Sequence, residues 1–149
     1  MVKQSRSEKA GFVEVARVLL VDSDPASRLT LQTVLRAGGY HVDAAASAAE
    51  AVGKLDESEY ELVLTDLHME SPESGLKVLA HARLMEYKPA TALLTTYRDS
   101  KRSKNSNKKS SQAFLIEPED LPELLTKVAD LVSERATRRV ERGLRHGGY

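Results

Sequence analysis

Hydrophobic and polar positions along this chain switch between two periods. Val18 to Val21 is a continuous apolar run, the mark of a strand covered on both faces, and it leads directly into Asp22-Ser23-Asp24. Asp24 offers an N-cap oxygen and Pro25 a preset first-turn dihedral. A helix is therefore predicted from there to the Gly38-Gly39 stop, with Leu31, Val34, Leu35 and Gly38 on its inner face. "YHVDAA" alternates at Tyr40, Val42 and Ala44, which suits a strand near a sheet edge. Ser47 then caps a second helix whose Ala48, Ala51, Val52 and Leu55 sit at helical spacing. "YELVLTD" is a buried strand ending in Asp66, and after the turn-rich "HMESPES" a third helix carries Val78, Leu79, Ala82 and Met85 on one stripe. "ATALLT" and "AFLI" supply two more strands, and Leu121, Leu124, Leu125, Val128, Leu131 and Val132 mark a last helix. Such alternation of strand and helix predicts an α/β fold with a parallel sheet covered on both faces.

One stretch departs from this rhythm. Residues 98–111, "RDSKRSKNSNKKSS", stand where a fourth crossover helix belongs, yet they hold six basic residues, one acid and nothing apolar. A helix without an apolar stripe has nothing to dock on the sheet, so this crossover is expected to be weakly helical or disordered. The pattern divides the chain into a polar N-terminal extension (1–15), one domain (16–132) and an Arg-rich C-terminal helical extension (133–149).

Composition narrows the function classes. The 149 residues suffice for a single domain with its own core. Lys and Arg number 22 and Asp and Glu 22, so net charge gives no global argument for nucleic acid or membrane. With no cysteine there is no disulfide framework and no thiolate ligand or nucleophile, which suits a reducing compartment. No apolar run approaches the roughly 20 residues of a membrane helix, and "MVKQSRSEKAG" has no apolar signal core, so the cytoplasm is the expected location. The basic segment 98–111 lacks interleaved aromatics and a groove-entering helix, which argues against nucleic acid as a partner. His41, His68, His81 and His146 show no metal-ligand spacing on one helix face.

Candidate chemistry gathers at one rim. In a doubly wound sheet the C-terminal strand ends share an edge where ligands bind. Asp22 and Asp24 follow the first strand, Asp66 ends the third, Thr95 and Thr96 the fourth, and Glu117 follows the fifth. Carboxylates crowded at one rim repel unless a hard cation such as Mg²⁺ sits among them. Helix capping is the competing use of a strand-end acid, and it accounts for Asp24 alone.

"VLLVDSDPASR", "LVLTDLHM", "LLTTY" and "AFLIEP", in this order, resemble the receiver domain of two-component response regulators over roughly residues 16 to 132. The resemblance implies a flavodoxin-like sheet of five parallel strands in the order 2-1-3-4-5. It implies Asp66 as phospho-acceptor, Thr95 as switch hydroxyl, Asp22 as Mg²⁺ ligand and the backbone carbonyl of His68 as a further ligand. Two positions depart from the family pattern. Ser23 replaces the second acid, and Glu117, ahead of Pro118, stands where the family has lysine. That second change puts negative charge beside a phosphoryl site that depends on positive charge. The implied function is phosphorelay signalling by a single receiver that is not an enzyme beyond its own phosphorylation and dephosphorylation. Its partners would be a sensor histidine kinase or phosphotransfer protein and a downstream protein target.

Two other readings stay open. A pseudo-receiver that binds partners without phosphorylation accommodates both departures. A phosphatase of the haloacid dehalogenase type shares the strand followed by D-x-D. Its later motifs are poorly matched, and the chain leaves no room for a cap domain.

Overall fold

The computed structural model of the chain describes residues 16–67, 69–94, 114–116 and 121–147. The predicted extension 1–15 and the basic segment 98–111 lie outside the described residues, and with them the expectation about the fourth crossover. In chain order the elements are β1 (Arg17–Val21), α1 (Pro25–Ala37), β2 (His41–Ala45), α2 (Ala48–Glu57), β3 (Leu62–Asp66), α3 (Ser74–Leu84), β4 (Ala90–Leu94), β5 (Phe114–Ile116) and α4 (Leu121–Gly147). The strands form one sheet in the order β2-β1-β3-β4-β5, every neighbouring pair parallel, as the resemblance implies.

Alternation along each strand builds two cores. Val18, Leu20, Leu62 and Leu64 point to one face, where Leu31 and Leu35 of α1 and Leu124, Val128 and Leu131 of α4 cover them. Leu19, Val21 and Val63 point to the other, against Leu55 of α2 and Val78, Leu79 and Ala82 of α3. Helix starts follow the expected caps. Asp24 Oδ2 accepts from Ser27 N–H at 3.0 Å, and Ser47 Oγ from Glu50 N–H at 3.1 Å, while Glu50 Oε1 reaches back to Ala46 N–H at 2.9 Å. At the end of α1, Gly38 N–H donates to the Val34 and Leu35 carbonyls, and Gly39 turns the chain with φ +101°.

Polar side chains fix the N-terminal edge of the sheet. Asp43 on the edge strand β2 accepts the Tyr60 hydroxyl at 2.7 Å and Arg17 Nη2 at 3.0 Å, both on Oδ2, and the Arg17 guanidinium lies 5.4 Å from the Tyr60 ring centre. Burial alone would push the Asp43 carboxyl up, but the hydrogen bonds from Tyr60 and Arg17 outweigh it and hold it below its ordinary range. The Tyr60 phenol is driven well above its ordinary range by burial and then by Asp43. Tyr87 is pushed up to about 12, by burial first and then by Glu59 and Asp56. At the far end, α4 runs unbroken past Ser133. Arg135, 5% exposed, donates from Nε to Lys88 O at 2.9 Å and from Nη2 to Tyr87 O at 2.6 Å.

These raised tyrosines set an alkaline limit. An unfolded tyrosine ionises near about pH 10, so the stability that Tyr60 and Tyr87 provide is complete below that pH and is lost as pH rises towards their folded values. Urea unfolding should therefore show stability falling as pH rises from about 10 towards about 12. Tyr60→Phe should lower stability at neutral pH by about 1 kcal/mol and make the alkaline decline shallower. An unchanged alkaline slope in that variant would contradict the assignment.

Candidate functional site

The parallel register sets Val21 against Thr65. Asp22 and Asp66 therefore stand opposite each other at the C-terminal edge of neighbouring strands, whose axes lie about 5 Å apart. Asp22 is 4% exposed and Asp66 is half-buried. Three bonds hold Asp22. Its N–H donates to Ala45 O at 3.0 Å, its carbonyl accepts Arg28 Nη1 at 2.9 Å, and its Oδ1 accepts Asp24 N–H at 3.0 Å. Its Oδ2 has no hydrogen-bond partner among the described residues. Asp24, by contrast, is exposed and spends its carboxylate on Ser27 N–H. The D-x-D spacing thus separates two roles, Asp22 at the rim and Asp24 on the helix end, with the Ser23 side chain exposed between them.

The loop from β3 to α3 is held from below. Ser74, 1% exposed, accepts Met69 N–H at 3.0 Å and Ser71 N–H at 3.4 Å on Oγ and donates to Ser71 O at 2.7 Å. Gly75 N–H donates to Leu67 O at 3.0 Å. A Cβ on Gly75 would collide with the Asp66 carbonyl oxygen and lie 2.8 Å from Leu67 Cα, so only glycine lets α3 approach this close to the strand end. Further along the loop, Glu70 Oε2 accepts Ala48 N–H at 3.0 Å, placing a carboxylate at the positive end of α2.

Of the residues singled out in the sequence, the structure places Asp22 and Asp66 at the ends of neighbouring strands. His68, Thr95 and Glu117 lie outside the described residues. β4 ends at Leu94, paired with Asp66, and β5 at Ile116, paired with Leu94. Ser74, Gly75 and Arg28 were not identified from sequence. Gly75, nine residues after Asp66, left no signal beyond its place directly after a turn-rich run.

The donor chemistry suits a hard cation in part. Asp22 and Asp66 provide carboxylate oxygens on adjacent strand ends, and Ser23 offers only a neutral hydroxyl. Among the described residues no three His, Cys, Asp or Glu side chains converge as a metal-binding group. This is a two-carboxylate rim, weaker for a divalent ion than a three-acid one.

A family model described as the response regulator receiver domain matches residues 18–129. Among curated proteins, the sensory/regulatory protein RpfC of Xanthomonas campestris is 29% identical over 124 residues, covering 80% of this chain and 17% of that protein. The transcriptional regulatory protein GlrR of Escherichia coli is 28% identical, covering 85% of this chain and 28% of its own length. The chain thus spans between a sixth and under a third of these relatives. Among solved structures, response regulator TrrA of Thermotoga maritima, in complex with Mg(2+)-BeF, superposes with TM-score 0.67 at 29% identity, covering 78% of this chain and 99% of that one. The signal receiver domain of an HD domain-containing protein from Pseudomonas fluorescens gives TM-score 0.73 at 22% identity, covering 89% and 97%, a likeness of fold.

The Gly75 contact gives a direct test. Gly75→Ala should destabilise the chain by about 2–3 kcal/mol, the cost of forcing backbone apart beneath Asp66. Gly53, in the middle of α2 with nothing near its missing Cβ, is the internal contrast. There, alanine should stabilise by about 0.5–1 kcal/mol. Urea midpoints at unchanged m-value measure both, and a neutral Gly75→Ala would show that the loop gives way without cost.

Proposed function

The chain belongs to the response regulator receiver family, and from that premise we propose that it takes part in phosphorelay signalling through phosphorylation of Asp66. The observation that carries the reading is the register that sets Asp66, half-buried at the end of β3, beside the fixed Asp22. In this reading an Asp66 carboxylate oxygen attacks a phosphoryl group on a donor, a sensor histidine kinase or phosphotransfer protein. The bond from phosphorus to the donor breaks as the new P–O bond forms. Asp22 and Asp66, with the His68 carbonyl, would hold Mg²⁺, which supplies positive charge for the transferring group. Thr95 is the hydroxyl proposed to follow the phosphoryl group and alter the surface that meets a downstream protein. Asp22 is kept in position by Asp24 N–H, so the helix cap and the metal ligand form one unit.

A second reading is favoured by one observation. Ser23 contributes no carboxylate, and no three-acid group converges among the described residues. With Glu117 adding negative charge at the family lysine position, the rim could instead serve partner binding without phosphate.

Two measurements separate these readings. Intact mass after incubation with acetyl phosphate and Mg²⁺ should show one added phosphoryl group that Asp66→Asn lacks. No gain at long times would move the function to phosphate-independent binding. Glu117→Lys should raise the rate of that gain by about tenfold or more, a conservative figure beside the roughly 100- to 1000-fold that one electrostatic partner contributes at such a centre. An unchanged or lower rate counts against the charge argument.

A further inference from the structure

The edge of the sheet opposite Asp22 and Asp66 carries a groove that plays no part in their chemistry. The C-terminal ends of α2 and α3, with the segments leading into β3 and β4, enclose an open volume of about 480 Å³. Leu55, Met85 and Tyr87 supply apolar surface, and Leu84 on its wall is 74% exposed. Four acids, Asp56, Glu57, Glu59 and Glu86, line it, and no lysine or arginine does. All four are exposed; among the described residues Asp56 meets His81 Nε2 at 2.8 Å, and Glu59 lies close enough to Arg135 to act on its charge. Apolar surface with a rim of one sign is shaped for a segment of the opposite sign with apolar side chains of its own.

This chain holds such a segment. Every residue of α4 from Ala136 to Leu144 is exposed. Arg138, Arg139 and Arg142 outnumber Glu141 there, and Val140 and Leu144, 61% and 71% exposed, share a helix face at i, i+4. The described surface exposes five large hydrophobic residues, and three of them, Leu84, Val140 and Leu144, belong to the groove or to this segment. The two features begin side by side. Arg135 is bound to the carbonyls of Tyr87 and Lys88 on the groove's own loop, and it feels Glu59 from the groove and Arg139 from the segment. Past that anchor α4 continues as one helix, about 18 Å long over residues 136–147. The segment could enter its own groove only by breaking that helix just after Arg135. A second copy can present it intact.

We propose that the chain self-associates by reciprocal exchange: residues 136–147 of each copy lie in the acidic groove of the other, related by a two-fold axis. The contact is isologous and therefore closes at a dimer. It is independent of phosphorylation at Asp66. Its small, charge-rich surface implies a weak, salt-sensitive complex.

Sedimentation velocity on the full chain tests this. At about 50 mM NaCl a monomer–dimer equilibrium should appear in the micromolar range and weaken about tenfold or more at about 300 mM. Glu57→Arg with Glu59→Arg cancels the net charge of the groove's four acids, and Arg138→Glu with Arg139→Glu reverses the segment. Each double variant alone should dimerise at least about tenfold more weakly. Mixed in equal amounts they should dimerise more tightly than either alone, because one contact of the heterodimer is then wild-type and the other sets the new glutamates of one copy against the new arginines of its partner. Circular dichroism melts confirm that each variant is folded, since all four positions are exposed. A wild-type chain monomeric at every concentration, a dimer indifferent to both reversals, a mixture that stays monomeric, or an open series of larger species each overturns the proposal.

Discussion

The parallel pairing of β1 with β3 is the constraint on which the rest of this molecule depends. Side chains alternate with period two, so this one register decides which residues fill each core and which acid faces which. The apolar middle of the strands cannot set it. Val18 to Val21 and Leu62 to Leu64 are apolar on both faces, so a shift of one residue would still bury only hydrocarbon. The ends do the selecting. Arg17 N–H meets Glu61 Oε1 at 2.6 Å and Glu61 N–H meets Arg17 O at 2.8 Å, while Glu61 O takes Ala90 N–H at 2.9 Å. A slip would leave these groups unpaired at the mouth of a buried sheet, where each loss costs about 1–3 kcal/mol.

From that register the site follows with little further freedom. Asp22 emerges where Asp66 does, and the start of α1 then fixes its carboxylate through Asp24 N–H. On the other side, α3 presses against the backbone of Asp66 and Leu67 at Gly75, and Ser74 ties the intervening loop into a fixed turn. The position of the Asp66 main chain is therefore set by packing on the α3 face as well as by the ladder. Preorganisation of this kind is what an electrostatic site needs, since groups already in place cost nothing to reorganise.

Much of this was legible in the sequence because it is local. Apolar runs gave the strands, and Asp24, Pro25, Ser47 and Gly38-Gly39 gave the helix ends through partners a few residues away. The parallel order came from alternation together with resemblance, and the role of Asp66 from resemblance alone, since spacing yielded only carboxylates sharing a rim. What escaped was long-range. Asp43 looked like a polar position on an edge strand, yet it pairs with Arg17 and Tyr60, 26 and 17 residues away. Arg135 falls in the Arg-rich stretch expected as a helical extension, where nothing marks it out, but its partners are 47 and 48 residues distant. No periodicity encodes which carbonyls a buried guanidinium will meet. The close approach at Gly75 likewise depends on how α3 packs, which a glycine following a turn-rich run does not announce.

Charge was the most misleading global quantity. The 22 basic and 22 acidic residues cancel in the total, which argues for no particular partner. Screening makes that total nearly irrelevant, because exposed charges further apart than about 8 Å hardly sense one another at physiological salt. What matters is the balance within one such radius, and here it changes sign between neighbouring regions. The groove below β3 and β4 presents four acids, while the exposed stretch of α4 beginning at its edge presents three arginines against one glutamate. Arg135 stands where these fields meet and is buried nonetheless. Its guanidinium has two carbonyl partners, and burial still pulls its pKa below the ordinary range. A charge retained there despite that penalty ties the long helix to the loop that forms the groove, so the direction in which α4 leaves the domain is a packed feature of the fold and not an accident of its end.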